Sequence, residues 1–170
     1  ENYWAAVQLT SNRVNIIRFA DVLLWAAECE AQVGSLTKAE DYVNMVRTRA
    51  ANSSYWIKNP DGSNAAKYAI GNYGADAFAD KAFALKAIHF ERRLELAMEG
   101  QRFFDLVRWG IAGTELNAYA AYENSTKNCY VFNEVRNFTT GKSELFPIPQ
   151  GQIDALNADG NINLKQNPGY

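Results

Sequence analysis

The stretch 83–110 constrains the fold of this chain more than any other part of its sequence. It contains two adjacent apolar stripes at helical spacing, the first made of Phe83, Ala87, Phe90, Leu94 and Ala97 and the second of Leu85, Ile88 and Leu96. A surface helix has one apolar stripe, whereas a helix that is apolar over a wider surface is covered by several neighbours. We therefore predict a helix over 81–99 that packs on more than one side.

Acidic residues recur four apart on this helix, at Glu91, Glu95 and Glu99. A di-metal helix requires Glu-x-x-His motifs, and the single histidine, His89, is not placed to complete one. The sequence also contains no serine or cysteine nucleophile motif with which His89 could form a catalytic triad. Basic residues are available as partners for the acids: Arg92, Arg93 and Arg102. Because buried charges are normally paired, we predict structural ion pairs, with no catalytic residue, no metal site and no cofactor.

Three further segments show the helical period, and helices are predicted over 16–33, 38–50 and 101–109. Thr37 followed by Glu40 is the capping-box pattern for the second of them. Two helices joined by a glycine-containing turn within about 34 residues are typical of a tetratricopeptide-like unit. The prediction is an all-α fold with tetratricopeptide-like helix pairs and long irregular loops, the second pair being 81–99 with 101–109.

The segments between and after these helices carry weaker signals. A short helix is predicted around 116–122, a strand near 130–132 and one helical turn at 152–154. Cys29 lies in a helical pattern and is predicted to be a buried thiol, while Cys129 in a polar loop is predicted to be unpaired; a disulfide between them is the alternative for an exported protein.

Composition excludes two classes of function. The chain has 170 residues and a net charge of −2, with no basic stripe that would neutralise phosphates, so no nucleic-acid partner is predicted. No uncharged apolar run reaches the length of about 18 residues that indicates a membrane-spanning helix. The length suffices for one domain with a sizeable core.

Several sequence words resemble the signature of the SusD/RagB family. They occur in the expected order along nearly the whole chain: RFADVLL at 18–24, ERRLELA at 91–97, EGQRFFDL at 99–106, RWG at 108–110, LFPIP at 145–149 and QNPGY at 166–170. The chain departs from the family pattern at Gln152, where a glutamate is usual, and in a longer link over 155–160. These departures alter one turn and leave the resemblance intact.

The resemblance implies a non-catalytic, glycan-binding lipoprotein of the outer-membrane surface. Its implied partners are an oligosaccharide or polysaccharide and a SusC-like TonB-dependent transporter. Residues 1–170 correspond to the C-terminal region of family members, so we expect this chain to be a fragment whose lipid anchor lies on the missing N-terminal part. The implied fold is a tetratricopeptide-like helical scaffold that carries long loops.

Four residues of the 52–79 loop are the candidate glycan contacts: Tyr55, Trp56, Asn72 and Tyr73. Aromatic faces cover the apolar faces of sugar rings, and amide side chains meet their hydroxyl groups. The alternative is that these aromatic rings only pack the loop against the helices. Trp56 is the exception if its ring lies free at the tip of the loop. An alternative function is a helical scaffold that docks the transporter, with the glycan site upstream.

Overall fold

The computed structural model describes residues 15–74, 76–126 and 137–170. These ranges contain the helices α1 (Phe19–Val33), α2 (Leu36–Ala51), α3 (Lys81–Glu95), α4 (Gln101–Arg108), α5 (Ala112–Thr126) and α6 (Gln150–Leu156). The described part has no β-strand beyond one isolated bridge, so the all-α prediction is confirmed. The chain divides into two compact units between Ala97 and Met98.

The first unit is a bundle of three helices, in which α1, α2 and α3 pack on one another. Its core consists mainly of small and branched apolar side chains: Leu24, Ala27, Ala31, Ala39, Val43, Val46, Phe78, Ala84, Ala87 and Ile88. Ala27 and Ala39 are completely buried. Small side chains at such positions allow helix axes to approach closely, which leaves little room for an apolar ligand inside the bundle.

The first turn of α2 differs from the prediction. The Ser35 hydroxyl, not that of Thr37, caps the helix by accepting a hydrogen bond from the Lys38 backbone N–H at 3.4 Å. Glu40 does not reach back to the helix start; it is buried and accepts from Asn44 Nδ2 at 3.4 Å. The capping-box prediction was wrong because the serine two residues earlier competes for the same role.

The ends of α3 follow from its caps. As predicted, Asp80 caps the helix, and its Oδ2 accepts from the Phe83 backbone N–H at 2.8 Å. The helix ends at Glu95 rather than at 99, since Met98 and Gly100 have φ values of 68° and 81°. Backbone in this left-handed region cannot continue a right-handed helix.

Helix α3 buries the second of its two apolar stripes and most of the first stays exposed. Ile88 and Leu96 of the second stripe are buried and Leu85 is partly buried, whereas Phe83, Phe90 and Leu94 of the first are exposed. The buried residues within the helix are Ala84, Ala87, Ile88, Glu91 and Arg92. Apolar periodicity alone does not identify Glu91 and Arg92 as part of the buried face, because both are charged.

The second unit contains α4, α5 and α6. Helix α4 packs on α5, which spans Ala112–Thr126 and is longer than the predicted 116–122. Within this unit α4 therefore pairs with α5, while the pairing of 81–99 with 101–109 would join the two units and stays a prediction. Helix α6 includes the predicted turn at 152–154. The predicted strand near 130–132 and Cys129 lie outside the described residues, whereas Cys29 is exposed and the buried-thiol prediction was wrong.

Side chains near the C-terminus hold the proline-containing segment 145–149. The Gln166 amide makes two hydrogen bonds to the backbone of Ile148, accepting from its N–H at 2.7 Å and donating to its carbonyl at 2.8 Å. Asn167 Nδ2 donates to the Phe146 carbonyl at 2.6 Å, and the Tyr170 hydroxyl donates to the Leu145 carbonyl at 3.0 Å. The backbone N–H and carbonyl groups of this extended segment thus form hydrogen bonds with side chains.

No helix in the described ranges combines the length and apolar character needed to cross a membrane.

Candidate functional site

The carboxylates of α3 form ion pairs with two arginines of α2 and with Arg18, the residue before α1. The ion pairs are Glu91 with Arg47 at 2.7 Å, Glu95 with Arg18 at 2.8 Å, and Glu95 with Arg49 at 2.6 Å. Arg92 pairs with Asp21 of α1 at 2.7 Å. The predicted ion pairs exist, but their partners come from α1, α2 and the residue before α1 rather than from neighbouring arginines on the same helix. These acids hold the bundle together and are unavailable for acid–base chemistry.

The segment after α2 forms a 3₁₀ turn (Ser53–Tyr55) followed by a small hairpin. Lys58 and Asn64 make an antiparallel bridge, and the Ala65 N–H donates to the Ile57 carbonyl at 2.9 Å. Gly62 closes the tip of this hairpin with a φ of 85°, a value that favours glycine. The hairpin fixes the position of the aromatic residues that precede it.

Asp61 stabilises the hairpin tip. Its carboxylate accepts from the Ser63 hydroxyl at 2.6 Å and from the Ser63 backbone N–H at 2.9 Å, and these bonds lower the pKa of Asp61 below its ordinary value. Because a lowered pKa means that the ionised form is favoured, the bonds persist at neutral pH and weaken as pH falls through the folded-state pKa.

We expect the substitution Ser63→Ala to raise the pKa of Asp61 toward its ordinary value of 3.8, since the hydroxyl bond makes the largest contribution to the shift. An NMR pH titration of the Asp61 carboxyl carbon measures this change. The exposed Asp159, whose pKa is lowered by bonds from Asn161, serves as the internal control and should not move. An unchanged Asp61 titration would contradict the hydrogen-bond assignment.

An aromatic cavity of about 580 Å³ lies between the C-terminal end of α2 and this loop. It is lined by Arg49, Ala50, Tyr55, Trp56, Ile57, Tyr68 and Ile70. The rings of Trp56 and Tyr68 stack with centroids 4.7 Å apart. Trp56 Nε1 donates to the Ala50 carbonyl at 3.0 Å, and the Tyr68 hydroxyl accepts from the Ile57 N–H at 3.2 Å. Both rings of the cavity wall are therefore fixed by hydrogen bonds.

The structure brings two of the four predicted glycan contacts together. Tyr55, which is 74% exposed, and the half-buried Trp56 both line the aromatic cavity. Asn72 does not line it, and its amide bonds to the Thr48 hydroxyl. Tyr73 does not line it either.

Tyr73 packs on the bundle core, with its ring edge-on to Phe78 at 5.4 Å and the Arg47 guanidinium 4.8 Å from its centroid. Burial raises the pKa of its hydroxyl, an effect that Arg47 opposes. Asn44 holds the backbone of Tyr73 at both its N–H and its carbonyl. This aromatic residue pins the loop to the helices.

Sequence reasoning missed five residues of the cavity wall: Arg49, Ala50, Ile57, Tyr68 and Ile70. Arg49 belongs to α2 and reaches the cavity because the chain reverses direction after this helix. Tyr68 lies twelve residues beyond Trp56 in the sequence, and only the hairpin between them brings the two rings into contact. The aromatic composition of the loop was the one available signal, and it does not specify which rings meet.

A second, more open hollow, the polar hollow, adjoins the first; most of its lining residues have polar side chains, while most of the surface that they present to it is apolar. Its volume is about 710 Å³, and it is lined by Asp41, Asn44, Met45, Thr48, Arg49, Asn52 and Tyr55. Arg49 and Tyr55 line both spaces. A flat aromatic wall can cover the apolar face of a sugar ring. The neighbouring hydroxyl, amide and carboxylate groups can form hydrogen bonds with the hydroxyl groups of the sugar. In the part of the chain that the structure describes, no cluster of three or more His, Cys, Asp or Glu residues is placed to hold a metal ion.

Comparison with known proteins assigns the family. Residues 4–170 match the family model SusD_RagB, described as the SusD family. The chain belongs to the SusD family. This family consists of non-catalytic binding proteins, which agrees with the engagement of the α3 carboxylates in structural ion pairs.

Two relatives place this SusD-family chain within longer proteins. It is 38% identical over 104 residues to the SusD-like protein P25 of Formosa agariphila, a match that covers 60% of this chain and 16% of that protein. It also resembles the crystal structure of a SusD superfamily protein from Bacteroides vulgatus, with a TM-score of 0.58 and 26% identity. That match covers 92% of this chain and 28% of the solved chain. The chain therefore spans less than a third of either relative.

Proposed function

We propose that this SusD-family chain is part of a non-catalytic glycan-binding component of an outer-membrane uptake system, and that its aromatic cavity contacts the oligosaccharide. The observation that supports the second part most is the pairing of a fixed Trp56–Tyr68 wall with the exposed ring of Tyr55. A volume of about 580 Å³ lies within the usual range of small-molecule sites.

The two adjoining hollows suit an oligosaccharide better than a single sugar. In this proposal one sugar unit lies against Tyr55 in the aromatic cavity, and the next extends over Thr48 and Asn52 in the polar hollow. The fixed rings reduce the entropy lost on binding, because Trp56 and Tyr68 are ordered before the ligand arrives. Amide and hydroxyl groups in the hollow would then discriminate between sugars by their hydroxyl patterns.

The rest of the proposed assembly follows from family membership. The partner is a SusC-like TonB-dependent transporter that receives the captured glycan. The protein is located at the cell surface on the outer membrane, with the lipid anchor on a part of the whole protein N-terminal to this chain. Residues 1–170 then form the C-terminal SusD/RagB-like region, which agrees with the short share of each relative that they cover.

Replacing the exposed ring tests this proposal. We expect Tyr55→Ala to weaken glycan binding about tenfold, because aromatic anchors contribute more than 1 kcal/mol to binding when they are covered by a ligand. The measurement is affinity electrophoresis of the protein in gels that contain soluble polysaccharides. The matched control is Tyr122→Ala, which removes another exposed tyrosine, from α5. Equal mobility shifts of both variants with every retained polysaccharide would contradict the assignment of the site.

Replacing Trp56 by alanine is a less suitable test of glycan binding, because the Trp56 ring does not lie free at the loop tip. One of its faces is covered by Tyr68, and its indole N–H is bonded to the end of α2. Removing the ring would release the loop together with any ligand contact. Trp56→Phe, which keeps a ring but removes the donor, separates the loss of the hydrogen bond from the loss of stacking.

A second candidate function is a helical scaffold that docks the transporter, with the glycan site upstream. It is supported by two apolar side chains that α3 leaves exposed, Phe90 and Leu94. Residues four apart on a helix are neighbours on its surface, and exposed apolar patches mark interaction surfaces. In this case Tyr55→Ala leaves glycan binding unchanged while Phe90→Ser reduces co-purification of the transporter.

A further inference from the structure

Building on the proposed glycan-binding function, we infer that the aromatic cavity selects an acidic saccharide. The geometry points to Lys58 and Arg49 as the residues that bind its negatively charged group, a carboxylate or a sulfate ester.

Lys58 places its ammonium beside Trp56, one of the residues of the cavity wall. Its ammonium lies 5.9 Å from the centroid of the Trp56 ring, and the bridge between Lys58 and Asn64 fixes the backbone from which it extends. The ammonium donates a hydrogen bond to the Asn64 amide oxygen, which is a neutral acceptor. No carboxylate of the described residues forms an ion pair with it, so its full charge acts on a ligand that enters beside Trp56.

Arg49 supplies a second cation within the wall. Its Nη2 donates to both carboxylate oxygens of Glu95 at 2.6 Å, while its side chain remains half exposed. A guanidinium carries five N–H donors, and in the described structure Nε and Nη1 of Arg49 make no hydrogen bond. Glu95 therefore fixes the orientation of this arginine and leaves donors for a planar, negatively charged group.

Among the described residues, no acid lines the aromatic cavity, whose seven wall residues are apolar, aromatic or basic. Two exposed acids of the first unit have other positions. Asp41 lines the adjoining polar hollow, and the carboxylate of Asp61 is bonded to Ser63 at the hairpin tip. The charge facing a sugar in the cavity is therefore positive.

A neutral sugar would cover the Lys58 ammonium, which forms no ion pair among the described residues, without compensating it, whereas Glu95 already compensates Arg49. Covering a charged group without an opposite charge or a good hydrogen-bond partner costs free energy, so the cavity binds a neutral unit less tightly than an anionic one of the same shape. Carboxylate and sulfate share the chemistry that matters here, namely a compact anion with several acceptor oxygens.

The experiment compares polysaccharides with and without their charge. The probes are polygalacturonate and its methyl ester, alginate and its propylene glycol ester, and κ-carrageenan and its desulfated form. Affinity electrophoresis of the protein is run with each pair at low and high NaCl. We expect an acidic member to bind about tenfold more tightly than its neutral counterpart, the contribution of one charge-assisted hydrogen bond, and the difference to shrink as salt screens the charges.

Three variants assign the selectivity. Lys58→Gln should reduce binding of the acidic member to the level of the neutral one, and Lys58→Arg should restore it. Lys86→Gln, which removes an exposed lysine of α3 that lines none of the cavities described above, should have no effect. Equal binding of charged and neutral members, or equal losses with Lys58→Gln and Lys86→Gln, overturns the acidic selectivity while the glycan-binding function stands. If the protein binds none of the six polysaccharides, both proposals are rejected.

Discussion

Arg92→Met should destabilise the protein by about 3–5 kcal/mol, the largest effect expected of any single substitution considered for this chain. Arg92 and Asp21 are each 1% exposed, and Arg92 Nη1 donates to Asp21 Oδ1 at 2.7 Å. Asp21 Oδ2 already lacks a hydrogen-bond partner among the described residues. Without the guanidinium, the carboxylate of Asp21 would be a buried charge with no counter-charge, which is the most costly way to break an ion pair.

Equilibrium unfolding in urea, followed by circular dichroism, measures this loss. Arg93→Met is the matched control, because Arg93 is the exposed neighbour on the same helix and should change the unfolding free energy by no more than about 0.5 kcal/mol. The double substitution Asp21→Leu with Arg92→Met should recover most of the stability, since apolar residues often replace a buried ion pair at no net cost. A double variant as unstable as Arg92→Met alone would show that lost packing, not the orphaned charge, causes the effect.

Much of the helical architecture could be predicted from local sequence signals. The helix periods located α1 to α4, and the aspartate before α3 identified its cap, because a carboxylate at this position satisfies N–H groups that the helix itself leaves without partners. The grouping of the helices could not be predicted in the same way. Helix α3 joined α1 and α2 because its buried face carries Glu91 and Arg92, whose partners lie on other helices. Helical periodicity identifies apolar stripes and contains no information on such pairs.

The candidate site was predictable in composition and only partly in geometry. Aromatic and amide residues in the loop after α2 indicated a sugar-binding surface, and Tyr55 and Trp56 do line the cavity. Tyr73, of the same residue type in the same loop, packs on the core. Tyr55 and Tyr73 occupy different positions because of the register of the hairpin and because Asn44 forms hydrogen bonds with the backbone of Tyr73. Both features depend on contacts between residues that are distant in sequence.

Glu95→Ala should lower the free energy of unfolding by about 1–3 kcal/mol, which is less than the loss expected for Arg92→Met. Glu95 accepts from Arg18 Nη1 at 2.8 Å and from Arg49 Nη2 at 2.6 Å. Its own side chain is largely buried, but Arg49 is half exposed, so water compensates that arginine in part when the carboxylate is removed. Glu95→Gln keeps a hydrogen-bond acceptor and loses the charge. Its free energy of unfolding should therefore lie between that of the wild type and that of the alanine variant.

The same substitution separates support of the fold from contact with the ligand. Because Glu95 orients Arg49, and Arg49 lines the aromatic cavity, Glu95→Gln should weaken binding of acidic polysaccharides as well as stability. The control Asp41→Asn removes an exposed carboxylate from α2 that makes no ion pair within the described residues, and it should leave the unfolding free energy unchanged. Urea unfolding and affinity electrophoresis are measured on the same preparations. Lost binding with unaltered stability would contradict the structural role and would assign Glu95 to the ligand itself, whereas lost stability with intact binding would show that Arg49 keeps its position without the carboxylate.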